Sequence, residues 1–122
     1  MQEQEIRNIL DSVRSRQTES RTFEAKTASE GCPKKIYDTL SSFSNQDEGG
    51  VIMFGVDEKN GFAVTGVYDA ADIQKKIQGK CREMEPEIRP VLSVGAIDGK
   101  QVVAAEIQGV EYADRPVFYR PA

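Results

Sequence analysis

The chain opens on an amphipathic pattern. Ile6, Ile9, Leu10 and Val13 stand at the i, i+3, i+4, i+7 spacing of one helix face. Polar residues from Ser15 to Ser20 end that pattern. Arg21 to Thr27 then alternates, with Phe23 and Ala25 on one side and Glu24 and Lys26 on the other. This is the period of a half-buried strand with a charged outer face. Gly31-Cys32-Pro33 predicts a helix entry, with Pro33 at the first helical position, where its missing N–H is not needed. Ile36, Leu40 and Phe43 carry the helix to Ser44, and Asn45 to Gly50 is a polar loop ending in glycine.

Val51 to Val56 is apolar on both faces, which predicts a strand inside a sheet covered on both sides. Asn60-Gly61 signals a hairpin turn, with Phe62 to Val67 as the returning strand. Asp69 stands where it caps a further helix, and Asp72 sits near the positive end of that helix dipole. Ile73, Ile77, Cys81 and Met84 line one face of it, and Pro86 and Pro90 end it. A second hairpin runs from Val91 to Ile97, turns at Asp98-Gly99 and returns from Gln101 to Ile107. Arg115 to Tyr119 reads as a short last strand, placed at an edge by Pro116. The order predicts an α+β fold, a mixed sheet of about five or six strands with two or three helices packed on it. No repeat, linker or low-complexity segment divides the chain, so residues 1–122 read as one domain.

Composition narrows the chemistry. Sixteen Lys and Arg against twenty Asp and Glu leave a net charge of -4, which excludes a polycationic binder held to nucleic acid by bulk charge. There is no histidine, so histidine-dependent nucleophilic catalysis and histidine metal ligation are both excluded. Cys32 and Cys81 are far apart and form no zinc-binding pair; Cys81 reads as a core residue and Cys32 as a helix-entry residue. The longest apolar run, Val51 to Phe54, is far short of a membrane span, and no signal-peptide pattern opens the chain. A cytoplasmic protein without a membrane partner is expected. Catalysis, if any, rests on carboxylates, lysines, hydroxyls or a bound hard metal ion.

Three segments carry candidate chemistry. Glu19 and Glu24 lie close in sequence with Lys26 beside the second. Strand alternation puts positions 19 and 24 on opposite faces, so they converge only if the chain turns at Ser20; otherwise this is a solvated charged face. Gly49-Gly50 before the apolar strand either admits the backbone of a ligand or makes a turn, and it lacks the lysine of a phosphate-binding loop. Asp57 ends that strand, at a sheet rim or in the turn before Asn60-Gly61. Lys34 and Lys35 in the first third, and Lys75, Lys76 and Lys80 on the later helix, make either a basic stripe that tracks a phosphate backbone or an ordinary solvated helix face, with Lys76 and Lys80 on one side of that helix.

In consistent order from about residue 15 to 120, these segments resemble the Schlafen AlbA-type domain family. The matching stretches are Glu19 to Lys26, Ser42-Phe43-Ser44-Asn45 with Gly49-Gly50, and Phe54-Gly55-Val56-Asp57. Gly66-Val67, Pro86-Glu87-Ile88-Arg89-Pro90 and Arg115-Pro116-Val117 also fit its habits. Asp47-Glu48 makes the loop before the glycines longer and more acidic than usual. Family members commonly run on into further segments and domains, so the resemblance allows an excised N-terminal portion of a longer protein.

The resemblance implies a nucleic-acid-associated module. Bacterial members are described as DNA-binding or transcription-regulator domains. Animal relatives use two copies to clamp structured RNA, which makes a homodimer the analogous arrangement for a single copy. In those relatives two glutamates and an aspartate form a triad for metal-dependent RNA cleavage, and the matching positions here are Glu19, Glu24 and Asp57. Converging carboxylates are stabilised by a hard cation such as Mg²⁺ or Mn²⁺, and Lys26 would add positive charge for a phosphate. Three expectations result. The first is a DNA- or RNA-binding regulator module that uses Lys26, Lys34, Lys35, Lys75, Lys76 and Lys80 on phosphates. The second is a metal-dependent endoribonuclease. The third is an oligomerisation or protein-interaction module.

Overall fold

A computed structural model describes residues 1–33 and 35–121, so the prediction for Lys34 lies outside the described residues. Helix α1 (Glu3–Arg16) is followed by β1 (Phe23–Lys26), α2 (Ile36–Ser44), β2 (Gly50–Phe54), β3 (Val56–Asp57) and β4 (Ala63–Val64). Then come α3 (Ala70–Arg82), β5 (Met84–Glu85), β6 (Val91–Ile97), β7 (Lys100–Ile107) and β8 (Phe118–Tyr119). The main sheet has the order β1-β2-β7-β6, with β1 parallel to β2 and the other pairs antiparallel. It is a mixed sheet in an α+β fold.

Both faces of that sheet are covered, and the strand periodicity assigns side chains to each. Met53 of β2, Val102 and Ala104 of β7, and Phe23 and Ala25 of β1 pack with Ile6, Leu10 and Val13 of α1. Ile52 and Phe54, with Val103, Ala105 and Ile107, pack instead with Ile36, Leu40 and Phe43 of α2 and Ile73, Ile77 and Cys81 of α3. Alternate residues of one strand enter opposite cores, which is why Val51 to Val56 carries no polar face. Asp69 caps α3 as expected, accepting from the Asp72 backbone N–H at 3.0 Å.

The structure corrects several sequence expectations. The main sheet has four strands, and the remaining short strands pair as two ribbons, β3 with β4 and β5 with β8. Gly55, at φ +100°, ends β2 and turns β3 away; a Cβ there would lie 3.0 Å from the Gly66 carbonyl carbon and 3.2 Å from the Gln101 carbonyl oxygen. The strand expected from Phe62 to Val67 shrinks to Ala63–Val64, since Phe62 and Gly66 both adopt positive φ. Pro33 does not begin α2, which starts where Ile36 first enters the core. Met84 belongs to β5, although its side chain still joins the core below α3. Of the last expected strand only Phe118–Tyr119 forms, and it lies on β5 instead of the main sheet.

Candidate functional site

The chain turns at Ser20, with the Phe23 N–H donating to the Ser20 carbonyl at 3.2 Å. The turn returns Glu19 to the free edge of β1, where its Oε2 accepts from the Ala25 N–H at 2.7 Å. Phe23 and Ala25 occupy the α1 core, so Glu24 and Lys26 point to the other side of the sheet. Glu24 does not face open solvent. Its Oε2 accepts from the Thr39 hydroxyl of α2 and pairs with Lys26 Nζ at 3.1 Å, both charged side chains being about three-quarters buried (27% and 28% exposed).

Glu19 is the group most perturbed by this arrangement. Burial pushes its pKa up to about 7; the Ala25 N–H acts in the opposite direction, while Glu58 adds to the rise through hydrogen bonding and repulsion and Glu24 through repulsion. Asp57 is occupied locally. Its Oδ1 accepts from the Lys59 N–H at 3.1 Å and caps the short 3-10 turn Glu58–Asn60. Among the described residues no three acidic or cysteine side chains are spaced to hold a metal ion. Glu24 is engaged by Lys26 and Thr39 and Asp57 by its own turn, so the three carboxylates as placed are held by separate partners. The acid that acts most on Glu19 is Glu58, with Glu24 adding to it. The signal of Glu58 in the sequence was only its position beside Asp57.

Of the predicted lysines, Lys26 lies on β1 in its pair with Glu24, and the other described ones lie at the start of α2 and on α3. Lys35 is exposed at the start of α2, and Lys75 is exposed on α3. Lys76 pairs with Asp72, one turn earlier, at 3.0 Å. The Lys80 ammonium stands 5.0 Å from the centre of the Tyr37 ring. Burial raises the pKa of the Cys32 thiol, while the Lys80 and Lys76 charges pull it the other way, so this face of α3 looks onto the loop that precedes α2. Tyr37 is stacked on Tyr119 of β8 with ring centres 3.8 Å apart and planes at 25°. Neither tyrosine was singled out in the sequence; they come from α2 and β8, and nothing in the linear pattern joins them.

A family model described as Schlafen, AlbA_2 matches residues 19–120. The chain belongs to this family. In solved structures the fold is similar to the N-terminal domain of a protein from Nitrosomonas europaea related by name to the ATP-dependent DNA helicase RecG. That likeness has a TM-score of 0.77 at 22% identity and covers 94% of this chain and 80% of that one. The DIP2311 protein of Corynebacterium diphtheriae is similar at a TM-score of 0.53 and 14% identity, over 88% of this chain and 27% of that one. Among curated proteins none matches.

The segments that resembled the Schlafen AlbA family divide by role. Those around Ser42 to Gly50 are architectural. Phe43 enters the core, and the buried Ser44 hydroxyl donates to the Leu40 carbonyl at 2.6 Å. Asn45 receives the Val117 N–H at 2.7 Å and donates to the Val117 carbonyl at 2.9 Å. Gly49 and Gly50 make room for the protein itself: a Cβ would lie 2.1 Å from the Ile107 carbonyl oxygen at the first and 2.4 Å from the Phe43 ring at the second. The lengthened acidic loop is also engaged, Asp47 with Arg115 and Glu48 with Arg21, each at 2.8 Å.

Proposed function

We propose that this chain is a nucleic-acid-binding module of a regulator-like cytoplasmic protein, contacting phosphates through the lysines that flank the start of α2 and line α3. The observation that carries this reading is the gathering of Lys76 and Lys80 on one face of α3, directed at the Cys32 loop and at Tyr37. Family membership and the likeness to a domain of a helicase-related protein support the same class. The net charge of -4 does not prevent a local contact, because these lysines are gathered on one face; the internal pairs of Glu24 with Lys26, Asp47 with Arg115 and Glu48 with Arg21 leave that balance unchanged. Binding is therefore local and strongly salt-dependent.

Affinity for DNA and RNA oligonucleotides across a salt series tests this. Each phosphate contact contributes about 0.7 to 0.9 to the slope of log affinity against log salt. Lys80→Ala and Lys76→Ala are each expected to flatten the slope by about that amount. Undetectable binding at low salt would remove the reading and leave a protein-interaction module.

A second reading, metal-dependent RNA cleavage through Glu19, Glu24 and Asp57 with Mg²⁺ or Mn²⁺, is supported by the crowding of Glu58 and Glu24 on Glu19. It requires Glu24 and Asp57 to leave their present partners. Structured RNA incubated with Mn²⁺ and wild-type protein, or with Glu24→Ala, decides it: cleavage lost in the variant supports the nuclease, and intact RNA with no Mn²⁺ uptake by the wild type eliminates it.

A further inference from the structure

The tyrosine pair on the basic face carries more than charge. The Tyr37 hydroxyl donates to Glu83 Oε2 at 2.8 Å, which fixes its ring on α2 against the end of α3. Tyr119 lies on that ring and stays 40% exposed. Its backbone is held on both sides: Ser41 and Asn45 grip Val117, and the Arg120 N–H donates to the Glu83 carbonyl at 2.9 Å. Phe118, at 50% exposure, projects to the opposite side of the two-residue strand. The result is a rigid aromatic surface, Tyr119 backed by Tyr37, with the Lys80 ammonium over the Tyr37 ring, 5.0 Å from its centre, and Lys76 one turn away on α3.

A flat π surface bordered by ammonium groups fits a nucleobase and the phosphate beside it. An apolar peptide needs a groove, and a cationic one would meet the lysines. In a duplex the base faces are hidden in the stack, so only an unpaired nucleotide can use such a surface. We infer that Tyr119, supported by Tyr37, is a stacking platform for an unpaired base, with Lys80 holding the adjacent phosphate, so that the module prefers single-stranded or looped nucleic acid to blunt duplex. This inference rests on the nucleic-acid reading above and names its substrate class. Glu83 holds Tyr37 and Asp72 pairs with Lys76, so the phosphate next to the stacked base falls to Lys80.

The test uses a single-stranded oligonucleotide carrying 2-aminopurine and a blunt duplex of the same sequence. Wild-type protein should bind the single strand more tightly and quench its 2-aminopurine fluorescence. Tyr119→Ala should weaken single-strand binding about fivefold or more, the effect of losing one stacked base, while leaving the salt slope unchanged. Tyr119→Leu, which keeps an apolar side chain over Tyr37, should show the same loss. Tyr119→Phe and Phe118→Ala should bind as wild type. If Tyr119→Ala and Tyr119→Leu keep wild-type single-strand affinity while binding stays salt-dependent, the phosphate reading stands and the platform is overturned. If no oligonucleotide binds at low salt, both fall.

Discussion

Glu19 illustrates how one residue's setting differs from its sequence context. In the chain it is one of several acids in a polar stretch. In the fold it accepts the Ala25 N–H and stands against Glu58 and Glu24, and burial with that company raises its pKa to about 7. The folded protein therefore holds a proton that the unfolded chain, with an ordinary glutamate near 4.5, releases earlier. The stabilisation is complete below the unfolded value and is lost as pH rises through about 7. Glu19→Gln keeps the acceptor for Ala25 and stays neutral. The variant should equal wild type in stability near pH 4 and exceed it at pH 8. Solvent screening of this partly buried group limits the gap to about 1 kcal/mol, a few degrees in Tm. Melting curves across this pH range check it; parallel pH profiles would rule the proton out.

At the scale of elements, the end of α2 decides where the C-terminal ribbon lies. β8 contributes only two residues of pairing to β5, too few to hold it alone. What supplements this pairing is Asn45, whose side-chain amide closes both hydrogen bonds of the Val117 backbone, with the Ser41 hydroxyl adding a third contact at 2.8 Å. Asn45→Ala leaves the part-buried Val117 N–H unpaired and its carbonyl with the Ser41 hydroxyl alone, at a cost of about 1–3 kcal/mol. Urea denaturation should record that loss. Amide exchange should accelerate at Val117 and Arg120 ahead of the main sheet, since local opening precedes global unfolding. Unchanged exchange at Val117 would show that β8 is held without the clamp. The same segment marks a limit of sequence reading. Ser42 to Gly50 was visible as a pattern, but whether its glycines admitted a ligand or made room for Ile107 and Phe43 depended on distant contacts.

For the whole molecule, the local periodicities read well because they report burial directly. The α1 stripe, the doubly apolar β2, the Asp69 cap and the β6–β7 hairpin are all local consequences of side-chain spacing. Less was legible where a single backbone angle decides the path. Gly55 diverts the chain out of the sheet, and the late start of α2 follows from where Ile36 finds the core. No helix among the described residues is long and apolar enough to cross a membrane. By itself, then, the sequence determined the layers of the fold and, through its ordered motifs, the family; it also ruled out histidine chemistry. Tertiary structure alone decided which charges meet. It joined Glu19 to Glu58, engaged Glu24 with Thr39, and stacked Tyr119 on Tyr37. The physical reason is range: burial and capping act over neighbouring residues, whereas pairing of charges and rings depends on how distant elements are brought together.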